Sequence, residues 1–216
     1  MPNPSDPSPV LVIGNKNYSS WSMRPWLACL HFELPIGEDV IFLDKPDTQA
    51  RIRRHSPAGK VPILRDGALT VWDSLAILEA LAERHPDRAF WPAERERRAR
   101  ARALAAEMHA GFAPLRQQLP MDCRARHAAR TWPAEVEADI ARIDEIFAAA
   151  EGPFLFGDFG AVDCMFAPVV SRCVTYAVAL SDPAARYRDA VTQLPAYRRW
   201  QQEAADEPDE LDLENR

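Results

Sequence analysis

Cysteine is scarce in this chain and is not spaced for metal or redox chemistry. The four cysteines, Cys29, Cys123, Cys164 and Cys173, form no C-x-x-C pair and stand at no zinc-ligand spacing, so no metal is expected. Basic excess is absent too: 26 Lys and Arg face 32 Asp and Glu, for a formal net charge of −6. That balance argues against general affinity for nucleic acid or for an anionic membrane. Long apolar runs are missing. The longest, from Cys164 to Leu180, is short for a bilayer span and holds Arg172 near its middle, which fits a buried helix. The start, Met1-Pro2-Asn3-Pro4-Ser5-Asp6-Pro7, has neither a basic n-region nor an apolar h-region. The thiols are therefore expected to be reduced and the protein cytoplasmic.

With 216 residues and 47% hydrophobic residues, the chain can build one large domain or two small ones with real cores. Residues 1–9 carry four prolines and no periodic pattern, and read as a disordered tail. Val10-Leu11-Val12-Ile13 reads as a buried strand ending at Gly14. Ser22 to Glu33 reads as a helix, with Pro25 tolerated only near its start. Val40 to Leu43 reads as a second strand, and the polar stretch Asp44 to Lys60 stays undefined. Val61-Pro62-Ile63-Leu64 and Leu69-Thr70-Val71-Trp72 flank Asp66-Gly67, a hairpin signal. Ser74 to Arg84 reads as a helix on the stripe Leu75, Leu78 and Leu81, closed by Pro86.

Beyond Trp91-Pro92 only helical periodicity remains. Ala101, Leu104, Ala105, Met108, Phe112 and Leu115 mark one long helix. Val136, Ile140, Ile143 and Phe147 mark a second, Val162 to Val178 a nearly all-apolar central one, and Leu194 to Ala205 a last amphipathic one. The mixed charges from Glu94 to Arg100 fit a solvated helix face. The expected organisation is an α/β domain over 10–88, a linker over 89–93, an all-helical domain over 94–208, and a mobile acidic tail over 209–216.

Four features gather the chemistry. Ser19 and Ser20 lie where a strand meets a helix N-terminus, and a hydroxyl there joins free N–H groups and the positive dipole end in stabilising an anion, a thiolate included. Plain N-capping by serine is the other reading. Pro62 opens a strand, where proline is unusual; a cis Val61–Pro62 bond would turn the Val61 backbone toward an extended ligand, whereas an edge-strand proline needs no ligand. Asp73 and Ser74 precede the third helix and either cap it or hold an α-amino and α-carboxylate pair. Gly157 to Asp163 leads into the central helix, with Asp163 reaching back to a cap, a structural role.

From about Val10 to Pro208 the chain resembles a cytosolic glutathione transferase. Ser19-Ser20-Trp21-Ser22-Met23-Arg24 is similar to the S-S-C-S-x-R motif of the zeta class. Ser56-Pro57-Ala58-Gly59-Lys60-Val61-Pro62 is similar to the N-P-x-x-x-V-P motif that leads to the family's cis-proline. Asp73-Ser74-Leu75-Ala76-Ile77 is similar to its [ED]-S-x-A-I motif. Order and spacing make the set specific. Trp21 stands where zeta enzymes usually have cysteine, Gly160 where the family usually has a capping serine or threonine, and around Ala113 and Gln117 only part of the zeta pattern survives.

The resemblance implies a thioredoxin-like domain followed by a helical bundle, with glutathione as co-substrate and a homodimeric assembly. It implies Ser19, or its neighbour Ser20, as the hydroxyl on the glutathione sulfur. Val61, beside Pro62, pairs with the cysteinyl unit, Asp73 and Ser74 hold the γ-glutamyl end, and Lys60 lies at the glycyl side. A second-substrate pocket for a small electrophile is expected between the domains, with Trp21, His109, Phe112, Arg116, Arg172 and Tyr176 as candidates. Arg172, inside an apolar helix, needs a partner, either a bound carboxylate or a buried acid such as Asp163. The alternatives are a glutathione-dependent reductase or peroxidase of omega type, an isomerase of the maleylacetoacetate kind, and a non-catalytic glutathione-binding scaffold.

Overall fold

Alternation sets the first strand. In the computed structural model, which describes residues 8–208, β1 (Val10–Ile13) sends Val12 to one side of the sheet and Leu11 and Ile13 to the other. Period-2 side-chain placement makes both faces apolar, as a central strand requires. β1 pairs in parallel with β2 (Gly37–Val40) and antiparallel with β3 (Ile63–Asp66), which pairs antiparallel with β4 (Leu69–Val71). The sheet order is β2-β1-β3-β4. The expected tails lie outside the described residues save for Ser8 and Pro9, and the Pro9 carbonyl accepts the Gly37 N–H at 2.8 Å.

Helix α1 (Ser20–His31) begins two residues earlier than expected, so Pro25 falls in its second turn. Proline has no N–H, and the Trp21 carbonyl is left without its helical partner. The second strand lies N-terminal to the expected Val40–Leu43 run, although Ile41 still donates to the Ile13 carbonyl at 2.8 Å. The undefined stretch contains α2 (Thr48–His55), an exposed helix anchored by Ile52 against Val12, Ile41 and Ile63. α3 (Ser74–Arg84) occupies the expected range and buries Ile77, Leu78 and Leu81 on the main core. Burial of each is worth about 1.5–3 kcal/mol.

Six helices follow among the described residues: α4 (Arg95–Ala110), α5 (Ala113–Gln118), α6 (Ala134–Ala148), α7 (Ala161–Thr175), α8 (Asp182–Gln193) and α9 (Pro195–Ala205). The long helix expected through Leu115 breaks after Ala110, because Phe112 turns into the left-handed region at φ 60°. The α4 start is capped by Glu94, whose carboxylate accepts the N–H groups of Glu96 and Arg97. α7 is buried along nearly its whole length, and α1 packs against it. Trp26 of α1 also meets Trp200 of α9 edge to face at 5.1 Å.

The step from connector to α7 is made by backbone. The Ala161 N–H donates to the Phe90 carbonyl at 2.8 Å, and a Cβ added at Gly160 would stand 2.8 Å from that same oxygen. Gly160 therefore occupies its position for space. The cap is one-sided: Asp163 accepts the Gly160 N–H at 2.9 Å, and it also takes the Leu155 N–H and the Tyr187 hydroxyl.

Candidate functional site

Ser19 ends the β1–α1 loop as the N-cap of α1, yet its side chain makes no capping bond. Its hydroxyl instead donates to Ser22 Oγ at 2.7 Å, and Ser22 Oγ also accepts the Gly14 N–H at 3.1 Å. Both serines are buried. Ser20, the first helical residue, is half-buried and donates its N–H to the Tyr18 carbonyl. The serine-capping alternative therefore does not describe Ser19 here: its hydroxyl sits at a helix start, at the positive end of the dipole, without capping it.

The Val61–Pro62 bond is cis. Val61 is half-buried, Pro62 is buried at the foot of β3, and Lys60 is exposed beside them. The Trp72–Asp73 bond is also cis. Asp73 caps α3 by accepting the Leu75 N–H at 3.2 Å through Oδ1. Its Oδ2 faces His109 Nε2 across the domain boundary at 3.2 Å. Ser74 is fully buried and accepts from Arg24 Nη1 at 3.4 Å.

Trp21, in the cysteine position of the zeta motif, is the hub between the two halves. The Arg24 guanidinium lies over its ring at 4.2 Å, Arg116 at 5.1 Å, and His109 meets its edge at 5.3 Å. Such cation–π contacts are worth about 0.5–2 kcal/mol each, more as they are desolvated. Arg24 is only 2% exposed and its Nε has no partner. Burial, then Arg116 and Arg172, depress its pKa well below the ordinary arginine value, while Asp73 opposes them. Burial and then Arg116 lower Arg172 to about 10.

The helical-side candidates divide. His109 and Arg116 stand at Trp21. Arg116 also closes α4, with Nη2 donating to the carbonyls of Met108, His109 and Gly111. Phe112 is buried in the core. Tyr176 donates its hydroxyl to the Pro120 carbonyl at 2.9 Å and stacks on His127, so it is spent on packing. Arg172 does not pair with Asp163. Its Nε donates to the Leu119 carbonyl at 2.7 Å and its Nη1 to the Pro168 carbonyl. Backbone carbonyls satisfy its donors without cancelling its charge. Arg24 and Ser22 lay inside the quoted motif without an assigned role. Their signal was helical spacing, three residues on from Trp21 and Ser19.

A four-stranded mixed sheet with a cis-proline loop, joined to a helical domain through an α1–α7 seam, is the architecture of glutathione transferases. Residues 18–84 match a family model described as glutathione S-transferase, N-terminal domain. A glutathione transferase homologue from Burkholderia, solved with bound glutathione, superposes with a TM-score of 0.70 at 25% identity, over 93% of this chain and 99% of that one. Maleyl pyruvate isomerase, a bacterial zeta-class transferase, superposes with a TM-score of 0.71 at 25% identity, over 94% and 100%. A probable maleylacetoacetate isomerase of Caenorhabditis elegans is 31% identical over 111 residues, 51% of each chain, so the match spans about half the length of that relative.

Among the described residues no helix is long and apolar enough to cross a membrane, and no group of His, Cys, Asp and Glu is arranged to hold a metal ion.

Proposed function

We propose that this protein is a glutathione transferase-type enzyme that ionises bound glutathione with the Ser19 hydroxyl and directs the thiolate at a small carboxylated electrophile. The observation that carries the reading is the Ser19 hydroxyl itself: buried, at a helix N-terminus, and not used for capping. A free thiol with a pKa of about 8.5 is only a few per cent ionised near neutral pH. Ser19 then turns its proton to the sulfur. With Ser19 so turned, the 2.7 Å bond in which Ser19 donates to Ser22 reverses: Ser22, polarised by the Gly14 N–H, becomes the donor to Ser19 Oγ and strengthens it. One such charge-assisted bond plus the helix dipole depresses the thiol by about one or two pH units.

The rest of the peptide is held apart from the sulfur. Val61 offers its backbone beside the cis proline, Lys60 flanks the glycyl end, and Asp73 with Ser74 takes the γ-glutamyl end. Glutathione is the nucleophile, and the protein binds, orients and ionises it.

Arg24, Arg116 and Arg172 favour a carboxylated partner. Burial first, then Arg116 and Arg172, holds Arg24 down, and burial followed by Arg116 holds Arg172 down; a bound carboxylate offsets the repulsive part. A second reading, cis–trans isomerisation of a maleyl acid, gains support from the relatives' names and from the same arginines: thiolate addition to the double bond, rotation, and expulsion of the thiolate return glutathione unchanged. Reductase chemistry of omega type is disfavoured, because all four cysteines are buried and burial pushes Cys29, Cys123 and Cys173 up to about 12. The family resemblance further supports a cytoplasmic homodimer.

The test is glutathione calorimetry followed by a turnover panel of chloronitrobenzene, an isothiocyanate, a peroxide and a maleyl acid. The maleyl acid should turn over fastest, and Arg172→Met should slow it at least tenfold more than it slows chloronitrobenzene. Equal losses would remove the carboxylate from the reading. Glutathione binding without turnover of any substrate would leave a binding scaffold.

A further inference from the structure

The loop that delivers Ser19 is held partly by its own turn and partly by residues distant in sequence. The Asn15 carbonyl accepts the N–H groups of Tyr18 and Ser19, and the Asn15 side chain accepts the Leu43 N–H at 2.6 Å. The Asn17 carbonyl accepts the Cys123 N–H at 3.2 Å. The Asn17 side chain donates to Asp122 Oδ1 and accepts the Arg124 N–H. The N–H groups of Lys16 and Asn17 both point at one carboxylate that follows α9. Glu207 takes Lys16 N–H on Oε1 at 2.5 Å and Asn17 N–H on Oε2 at 3.0 Å.

Glu207 follows α9 and is itself held. Its carbonyl accepts Arg124 Nη1 at 3.0 Å, and Arg124 Nη2 reaches the Tyr18 hydroxyl at 3.1 Å. One turn earlier, Glu203 receives the Lys16 ammonium, which also donates to Glu38 at 2.6 Å and lies 5.0 Å over the Trp26 ring. Lys16 is only 6% exposed. Its charge is thus matched by an acid from β2's strand and one from α9.

We propose that Glu207, assisted by the Lys16–Glu203 pair, is a positioning residue: it fixes the 15–18 loop so that the Ser19 hydroxyl stands where the glutathione sulfur is ionised. This rests on the proposed role of Ser19. A carboxylate accepting two adjacent N–H groups is a charge-assisted, bidentate hold. Without it both N–H groups turn to water and the loop relaxes. A shift of about 1 Å at Ser19 is enough to weaken a catalytic hydrogen bond. The peptide ends are gripped at Val61 and Asp73, on other elements. The strap therefore acts on ionisation of the thiol much more than on affinity.

The experiment compares full-length wild type with Glu207→Ala and Glu207→Gln, and reads two quantities. The first, in ligand-free protein, is amide hydrogen exchange over residues 15–19. Glu207→Ala should speed it about tenfold or more, with global exchange of the α7 core unchanged. Unchanged exchange in 15–19 overturns the strap, whatever glutathione does. The second is the bound thiol's pKa, from thiolate ultraviolet absorbance. It should rise by about one unit in Glu207→Ala, with glutathione affinity altered less than about threefold. Glu207→Gln keeps one carbonyl acceptor and should recover part of the shift. A pKa unmoved in Glu207→Ala despite faster exchange overturns the positioning role. If wild type fails to bind glutathione, the proposed function falls, and the exchange result alone decides whether Glu207 holds the loop.

Discussion

His109 Nε2 approaches Asp73 Oδ2 to 3.2 Å, so the helical domain touches the carboxylate assigned to the γ-glutamyl end of glutathione. Both side chains keep solvent contact, and pairs of this kind are worth about 0–1 kcal/mol. Asp73→Ala removes the proposed partner of the glutathione ammonium and should weaken binding about five- to tenfold by calorimetry. It also deletes the α3 cap, a loss of about 1 kcal/mol that a melting curve will register. His109→Gln should change affinity less than about threefold. Unchanged affinity in a folded Asp73→Ala protein would remove Asp73 from the site.

Ionisation of the thiol is the sharper measurement. Ser19→Ala should raise the bound thiol's pKa by about one unit or more through loss of a charge-assisted donor, with affinity nearly kept. Ser22→Ala should produce a smaller rise, since it only strengthens that donor, and Ser20→Ala the smallest. A rise confined to Ser20→Ala moves the role by one residue. No rise in any of the three would leave ionisation to the backbone alone.

Asp163 gives the stability of the helical domain a pH signature. Burial lifts its carboxyl from 3.8 to about 6, against the pull of hydrogen bonds from Leu155, Gly160 and Tyr187. The folded value lies above the unfolded one, so the native state holds the proton more tightly. Its contribution is most favourable below about pH 4 and declines as pH rises toward about 6. The gap of about 2 pH units corresponds to about 3 kcal/mol. In urea unfolding, the wild-type advantage over Asp163→Asn should shrink by that order between pH 4 and pH 7. A constant difference would show that the carboxyl is already ionised at the low end.

Assembly is checked by light scattering. Leu69 and Trp72, at 55% and 45% exposure, stand open on the sheet domain, and a homodimer covers such surface with the partner's helical domain. A particle of twice the 24.3 kDa chain mass is expected at micromolar concentration. Trp72→Glu should shift it toward monomer, and a wild-type monomer would refute the assembly.

Legibility in the sequence followed the apolar pattern. α3 was readable to the residue because Leu78 and Leu81 repeat at helical spacing behind a capping aspartate. α2 was not, because Ile52 is its one fully buried apolar anchor and a single residue makes no period. The break at Phe112 was hidden because the stripe from Ala101 to Leu115 runs on through it, and a left-handed φ leaves no mark on hydrophobicity. Within the site, the motif residues named the loop, the proline and the α3 cap. Spatial partners were out of reach: Glu207 lies 190 residues from Asn17, and the carbonyls that satisfy Arg172 carry no side-chain signature.

Gly160 has φ −140° and ψ −170°, extended backbone open to any residue, so its glycine is demanded by the 2.8 Å approach of the Phe90 oxygen rather than by torsion. The seam between connector and α7 is thus main chain on main chain, with no rotamer to loosen it. Mechanically it behaves as a rivet, so a tilt of the sheet domain about the connector must drag the start of α7 with it. Any rearrangement where the two halves meet then falls to the Trp21, His109 and Arg116 side chains, not to a hinge.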